Sequence, residues 1–193
     1  MPPEILLSDQ ILEGTTSTGT DTSIEFPTLI DIQDTTLTND APTVFPFGET
    51  IVTWTATDSS GNSASATQTI TVVDTTSPIL VIPESLEIEA HSLLTEVSDF
   101  GEIFAEDISG ISSIVNDAPE IFPLGETIVT WTATDDYGNI SSATQTINVV
   151  DTTAPEITSP SDVQVEATSM SQNIVDFGFA EASDQVEISS ITN

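Results

Sequence analysis

Two stretches of the chain share the sequence GETIVTWTATD, and from the valine onward apolar residues alternate with threonines. In the second stretch, Gly125–Asp135, the apolar residues Val129, Trp131 and Ala133 alternate with threonines. A period of two is typical of a half-buried β-strand, so the threonines are expected to face water. The turn sequence Asp-Asp-Tyr-Gly-Asn follows, and Ile140–Val150 is then expected as a second strand with Ile147 and Val149 on one face. The pattern predicts a β-hairpin.

The same hairpin occurs earlier in the chain, beginning at Gly48–Asp58, and Trp54 and Trp131 lie 77 residues apart. A fixed period of this length, without a helical pattern inside it, indicates one β-module used repeatedly. Short apolar runs punctuated by prolines precede the second hairpin, near Ile79–Ile82, Leu86–Ala90, Thr95–Phe100 and Ile111–Asn116. Six or seven short strands per repeat predict an all-β fold of tandem β-sandwich modules.

The repeat divides the chain into residues 1–74, 75–151 and 152–193. The first copy is degenerate in its first half, and the third contains only the first half of the module. The linkers, Asp74–Pro78 and Asp151–Pro155, are short and stiffened by proline. We therefore expect a semi-rigid rod.

The third copy matches the second as far as Ser189-Ser190-Ile191 but has no Trp hairpin. A sandwich without these strands exposes its core and unpaired strand edges. Two explanations remain open: further sequence of a longer protein completes the module, or another subunit donates the strands in trans and builds a head-to-tail filament.

The charge of the chain is extreme. It has 32 acidic residues, one histidine and neither lysine nor arginine, a formal charge of −32. This composition argues against binding nucleic acid or an anionic membrane surface, and no apolar run predicts membrane insertion. The absence of lysine and cysteine excludes Schiff-base and thiol chemistry as well as disulfides. Because salt and divalent cations screen such repulsion, we expect a calcium-containing extracellular setting.

The segment FPFGETIVTWTATDSSGNSASATQTITVVDTTSP resembles the hyalin-repeat (HYR) family. In that family a Phe-Pro-x-Gly segment leads into a Val-Thr-aromatic-Thr-Ala-Thr-Asp strand, an x-x-Gly-Asn turn and a closing Val-x-Asp strand. The resemblance implies an immunoglobulin-like sandwich and a role in extracellular adhesion or surface architecture. The cysteine pair frequent in the family is absent here, which favours a prokaryotic cell-surface protein, archaea included, over an animal matrix protein.

Immunoglobulin-like strand order would bring the turn after the Trp strand, the loop at Asp107 and the preceding linker to one end of a module. Ca²⁺ takes six to eight oxygen ligands, which such loops can supply. We therefore predict an interdomain Ca²⁺ site. The expected ligands are Asp74, Asp107, Asp135, Asp136 and Asn139 at the first junction, Asp151 and Asp184 at the second, and Asp58, with Asn62 and Asp34, in the first copy. The alternative is that these residues only form turns by accepting hydrogen bonds from their own backbone.

A catalytic role is not expected, because the acids are spread over turns and linkers and the single histidine, His91, does not recur with the module. The leading hypothesis is a non-catalytic extracellular structural protein, a rod of modules in a surface layer, adhesin stalk or filament. The alternatives are a self-assembling filament subunit completed by strand donation, a glycan- or protein-binding adhesion module, and a spacer of a larger secreted enzyme. The expected partners are accordingly neighbouring modules, further copies of the chain, or a glycan or protein ligand.

Overall fold

The computed structural model describes residues 2–30 and 34–192, and every regular element within them is a β-strand. The strands of the first module are β1 Glu4–Leu6, β2 Gln10–Glu13, β3 Thr28–Ile30, β4 Thr35–Asn39, β5 Gly48–Asp58 and β6 Ser63–Val73. Those of the second are β7 Ile79–Val81, β8 Leu86–Glu89, β9 Phe104–Glu106, β10 Ile111–Asn116, β11 Gly125–Asp135 and β12 Ile140–Val150. Two further strands follow, β13 Glu156–Thr158 and β14 Glu181–Ser183.

The predicted hairpin forms the centre of the main sheet in the first module. Strands β5 and β6 pair antiparallel from Gly48↔Val72 to Thr57↔Ser63. Strand β4 pairs antiparallel with β5, and β2 runs parallel to β6, which gives the order β2-β6-β5-β4. Strands β1 and β3 form a separate antiparallel pair.

The core of the first module lies under one face of this hairpin. Val52, Trp54 and Ala56 are fully buried, whereas the threonines between them are only half-buried. Phe45 and Ile70 join the same cluster. The alternation predicted from the sequence is therefore confirmed, and both tryptophans are core residues.

The second module repeats this topology. Its main sheet has the order β10-β11-β12-β8, in which β8 runs parallel to β12, and β7 pairs antiparallel with β9. A short strand parallel to the last one, combined with a long central hairpin, is typical of immunoglobulin-like sandwiches. The all-β, tandem-module fold class is thus confirmed.

One predicted strand, Thr95–Phe100, is wrong. Thr95 makes only an isolated bridge with Phe122, and the next strand begins at Phe104. The Asp99 carboxylate accepts the backbone N–H of Gly101 at 2.9 Å, and Gly101 has a positive φ of 86°. This turn ends the extended segment before it can enter a ladder.

Within residues 152–192, the described part of the third copy, the only strands are β13 and β14, which pair in the register Ile157↔Ala182. Its apolar side chains lie in the open: Met170, Ile174 and Phe179 are more than 90% exposed. Phe100 of the second module packs on Trp131 at a ring-centroid distance of 5.6 Å, whereas its counterpart, Phe177, is 57% exposed. The module bounds at residues 74 and 151 stay a prediction.

By residue contacts the chain divides into two compact units. The first contains the chain up to Val81 together with Phe104–Val115 and Thr132–Ala143. The second contains Ile82–Ile103, Asn116–Trp131 and the chain from Thr144 onward. The loops at one end of the second module therefore belong to the same unit as the first module and the first linker.

Candidate metal centre

Three carboxylates meet inside the first unit. Asp74 follows β6, Asp107 follows β9 and Asp135 is the last residue of β11. Each offers one oxygen, and these oxygens all lie within 4.8 Å of one another. Among residues 2–30 and 34–192, no other group of three acidic, histidine or cysteine side chains is so close.

Asp135 is held by its own turn and is almost fully buried, at 1% exposure. Its Oδ1 accepts the backbone N–H groups of Tyr137 and Asn139, both at 2.8 Å, and its Oδ2 accepts the Asn139 side-chain amide. Burial is the largest influence on the Asp135 pKa and raises it, but the bonds from Asn139, Tyr137 and Gly138 together outweigh it and lower the pKa below its ordinary value. The carboxylate is therefore ionised at neutral pH.

Asp74 carries the unusual feature of the cluster. Its side chain is 94% buried, since its exposure is 6%. One oxygen, Oδ1, accepts the Thr76 backbone N–H at 3.0 Å, while the other, Oδ2, is buried and has no hydrogen-bond partner. An unpaired buried carboxylate oxygen is costly, so this oxygen is suited to accept a cation or a water molecule.

Neighbouring groups fix the geometry of the three acids. The Asn139 amide donates to the Asp74 backbone carbonyl at 3.1 Å as well as to the Asp135 carboxylate, which ties the linker to the turn. The half-buried Asp107 accepts the backbone N–H and the hydroxyl of Ser109, both at 2.9 Å.

The dimensions fit Ca²⁺. Its oxygen ligands lie 2.3–2.6 Å from the ion, so two ligands on opposite sides are about 5 Å apart. Two unit negative charges 4.8 Å apart, the largest separation in the cluster, repel by about 3.5 kcal/mol at an effective dielectric constant near 20. The chain has no lysine or arginine that could neutralise them.

The other predicted ligands lie elsewhere. Asp136 lies against Gly110, outside the cluster, and Asn139 contributes as a hydrogen-bond donor. Asp58 is enclosed by its own turn: its two oxygens accept bonds from the Ser60 backbone N–H and from the backbone and side chain of Asn62. Among the described residues, neither Asp58 nor Asp34 belongs to a three-acid group.

At the second junction the predicted aspartates form turns but no group of three carboxylates. Asp151 accepts the Thr153 backbone N–H at 3.2 Å, and Asp184 accepts that of Val186 at 2.9 Å. In the described part of the chain these two acids have no third partner comparable to Asp135. Turn formation, the alternative interpretation, accounts for the observed contacts of Asp58, Asp151 and Asp184.

Two glutamates that the sequence did not single out hold the linkers. Glu13 accepts the backbone N–H of Thr75 at 2.8 Å and the hydroxyls of Thr75 and Thr76. Glu89 makes the same three bonds to Thr152 and Thr153 in the second module. The signal was present in the sequence as a glutamate near the end of a short strand and a Thr-Thr pair after each linker aspartate.

These observations define the class of the protein: it consists of tandem β-sandwiches with acidic loops at a junction. The family profile of the HYR domain matches residues 1–72 and 73–149. The chain belongs to the HYR domain family. As tandem HYR domains it is an extracellular structural module of the adhesion type. No helix that could cross a bilayer occurs among the residues described.

The curated relatives include two sea urchin proteins. The chain is 38% identical over 183 residues to "Hyalin" of Lytechinus variegatus, a match covering 83% of this chain and 33% of the relative. It is 41% identical over 175 residues to "Hyalin" of Strongylocentrotus purpuratus, covering 83% of this chain and 14% of the relative. The chain therefore spans a third or less of these relatives.

Among solved structures, the Sidekick-1 immunoglobulin domains 1–5 match at a TM-score of 0.42 and 14% identity, over 83% of this chain and 41% of theirs. The fold assignment rests on the sheets described above.

Proposed function

We propose that the protein is a non-catalytic extracellular structural component, a semi-rigid rod of HYR modules whose first junction is locked by Ca²⁺. Two observations support the proposal: the Asp74 carboxylate lies within 4.8 Å of those of Asp107 and Asp135, and its buried Oδ2 has no hydrogen-bond partner. Asp74 lies in the linker, whereas Asp107, in a loop, and Asp135, at the end of β11, belong to the following module. A cation held by all three would therefore fix the linker to that module.

The bound cation would make the first junction rigid and would have no catalytic role. Without the ion, mutual repulsion favours separation of the linker from the loops, and with the ion the same charges hold them together. Sites in extracellular calcium modules have dissociation constants of about 10⁻⁴–10⁻³ M. At 10 mM Ca²⁺ such a site would stabilise the folded state by about 1.4–2.7 kcal/mol.

The repeat supplies a matched pair of variants for testing the lock. Asp135→Asn and Asp58→Asn change the same residue in identical eleven-residue strands, and both weaken a turn of the same kind. We expect 10 mM Ca²⁺ to raise the melting temperature of the wild type and of Asp58→Asn by about 3–10 °C relative to chelator. Asp135→Asn should lose this shift.

The melts are to be recorded by circular dichroism at constant ionic strength, with Mg²⁺ as a second cation, so that general screening is separated from site binding. Equal shifts in both variants would reject the site, as would an equal response of the wild type to NaCl alone.

A second proposal concerns the third copy: residues 156–192 take a Trp hairpin as their partner, supplied by further sequence or by another subunit. The support is the exposure of Phe177, Phe179 and Ile174, whereas the counterpart of Phe177 in the second module packs on a tryptophan. Completion by another subunit would make the protein a self-associating filament subunit.

The test is a chain extended after Asn193, the counterpart of Asn116, with a further copy of residues 117–150. The extension should protect the backbone amides around Phe177 from hydrogen exchange, and it should abolish any concentration-dependent association seen by sedimentation of the original chain. Unchanged exchange on extension would refute completion by a hairpin. A monomeric original chain at all concentrations would exclude donation in trans.

The prokaryotic source stays a prediction that rests on the missing cysteines. The relatives named above, which are sea urchin proteins, do not bear on it.

A further inference from the structure

An aromatic contact lies beside the acidic cluster, in the same compact unit. The ring of Phe47, from the first module, packs on the ring of Tyr137, in the turn that follows β11, with centroids 4.9 Å apart and an interplanar angle of 38°. Phe47 also packs against the buried core cluster of the first module. The ring pair therefore connects that core to the turn that carries Asp135.

The turn transmits this contact to the carboxylate. The backbone N–H of Tyr137 donates to Asp135 Oδ1 at 2.8 Å, and the Asn139 N–H donates to the same oxygen. Anchoring the Tyr137 ring on Phe47 thus fixes the position of a residue directly bonded to the acid. Asp74 enters the site from the linker that follows β6 of the first module.

The first module also makes room for the ring. Gly14 is buried, and a Cβ added to it would lie only 2.5 Å from Phe47 Cζ. The backbone N–H of Gly14 donates to Val73 O at 2.8 Å, which holds the glycine at the end of β6. The Phe47 ring can therefore lie in this position because residue 14 has no side chain.

The corresponding residues of the second module differ together. Ala90 takes the place of Gly14 and donates to Val150 O in the same way, while Leu124 takes the place of Phe47. The turn of the first module has Ser60 where the second has Tyr137. Gly14, Phe47 and Tyr137 therefore occur together at the first junction, whereas Ala90, Leu124 and Ser60 hold the equivalent positions of the other module.

We propose that Phe47 and Tyr137, with Gly14, form an aromatic latch that positions the Asp135 turn on the first module independently of the cation and so raises the affinity of the junction site. The latch holds the carboxylates of the linker and the turn near their bound arrangement, which reduces the ordering that cation binding requires. The affinity effect rests on the proposed function, whereas the contact itself does not.

The latch can be observed directly because Tyr137 is the single tyrosine of the chain. Incorporation of 3-fluorotyrosine gives one ¹⁹F resonance. In chelator we expect this resonance to be displaced from its position in the urea-unfolded chain, since the Phe47 ring lies against the label. Phe47→Leu and Gly14→Ala, which install the residues of the second module, should move it back. Leu124→Ala, the matched control, should leave it unchanged.

Calorimetric titration with CaCl₂ measures the positioning effect. Tyr137→Ser copies the turn of the first module and removes a ring that is 49% exposed, so the fold should be retained, which tryptophan fluorescence checks. An aromatic pair of this kind corresponds to about a 2- to 12-fold weaker dissociation constant on its removal. Tyr137→Phe should restore wild-type affinity.

The outcomes separate the two proposals. A wild-type resonance at its unfolded position in chelator, or one insensitive to Phe47→Leu, overturns the latch. Equal Ca²⁺ affinity of the wild type and Tyr137→Ser overturns its positioning role. If the displaced resonance responds to Phe47→Leu but the wild type binds no Ca²⁺, the latch stands as a cation-independent contact and the proposed cation lock fails.

Discussion

At the scale of single residues, each module depends on a buried glutamine that no sequence pattern predicted. Gln145 is 1% exposed; its Oε1 accepts the Trp131 indole N–H at 3.1 Å, and its amide donates to the carbonyls of Glu84 and Phe100. Gln68 does the same for Trp54 and the carbonyl of Ser8. The glutamine satisfies the indole and joins the main sheet to the irregular segments that precede it.

Gln145→Ala should destabilise the protein by about 2–4 kcal/mol, because it leaves a buried indole N–H and two carbonyls without partners and opens a cavity. Urea unfolding followed by tryptophan fluorescence measures the change. The exposed neighbour Thr144→Ala should stay within about 0.5 kcal/mol of the wild type. Similar losses in both variants would show that the network contributes little.

The sequence predicted the residues of the cluster better than their arrangement. Immunoglobulin-like strand order was sufficient to bring Asp74, Asp107 and Asp135 to one end of a module. The separation of Asp136 from them was not predictable, because neighbouring residues in a turn point in different directions. The unpaired oxygen of Asp74 depends on packing around a single atom, which no sequence pattern specifies.

At the scale of elements, local pattern predicted the long hairpins and failed for the short strands. Ile140–Val150 has the predicted bounds, and burial alternates along its full length in the structure. Thr95–Phe100 was wrong because a side-chain turn at Asp99 competes with the ladder, and three-residue β9 is too short for alternation to indicate a strand. Glu13 and Glu89 each form a clamp, the set of hydrogen bonds from one glutamate to the linker threonines. Each clamp joins segments about sixty residues apart, so a local sequence pattern cannot predict it.

The clamp at Glu89 gives a prediction on pH. The Thr152 backbone N–H, followed by the hydroxyls of Thr152 and Thr153, lowers the Glu89 pKa below 4.5. The contribution to stability is therefore complete above pH 4.5 and is lost as the pH falls through the lowered pKa.

Glu89→Gln should lower the melting temperature in chelator at neutral pH, and the difference from the wild type should shrink as the pH falls below 4.5. Glu87→Gln, an exposed position on the same strand, is the control. A difference that stays constant between neutral pH and pH ~3 would contradict an ionised clamp.

At the scale of the whole molecule, the chain is a repeat whose modules are alike and whose junctions are not. The 77-residue period was enough to predict tandem sandwiches, since each copy reproduces the same hairpin. The first junction combines a glutamate clamp, an acidic cluster and an aromatic pair, whereas the second has a clamp and turn aspartates among the described residues. The cluster has no counterpart at the second junction because the third copy contains no Trp hairpin, and Ala90 and Leu124 replace Gly14 and Phe47 there.

Calorimetric titration with CaCl₂ in high NaCl distinguishes a specific cation site at the first junction from general screening of charge. Asp74→Asn and Asp151→Asn alter equivalent linker aspartates that each accept a backbone N–H two residues on, but only Asp74 belongs to the cluster. We expect a single site in the wild type and in Asp151→Asn, and its loss in Asp74→Asn. Equal binding by the two variants, or no saturable site in the wild type, would contradict this expectation.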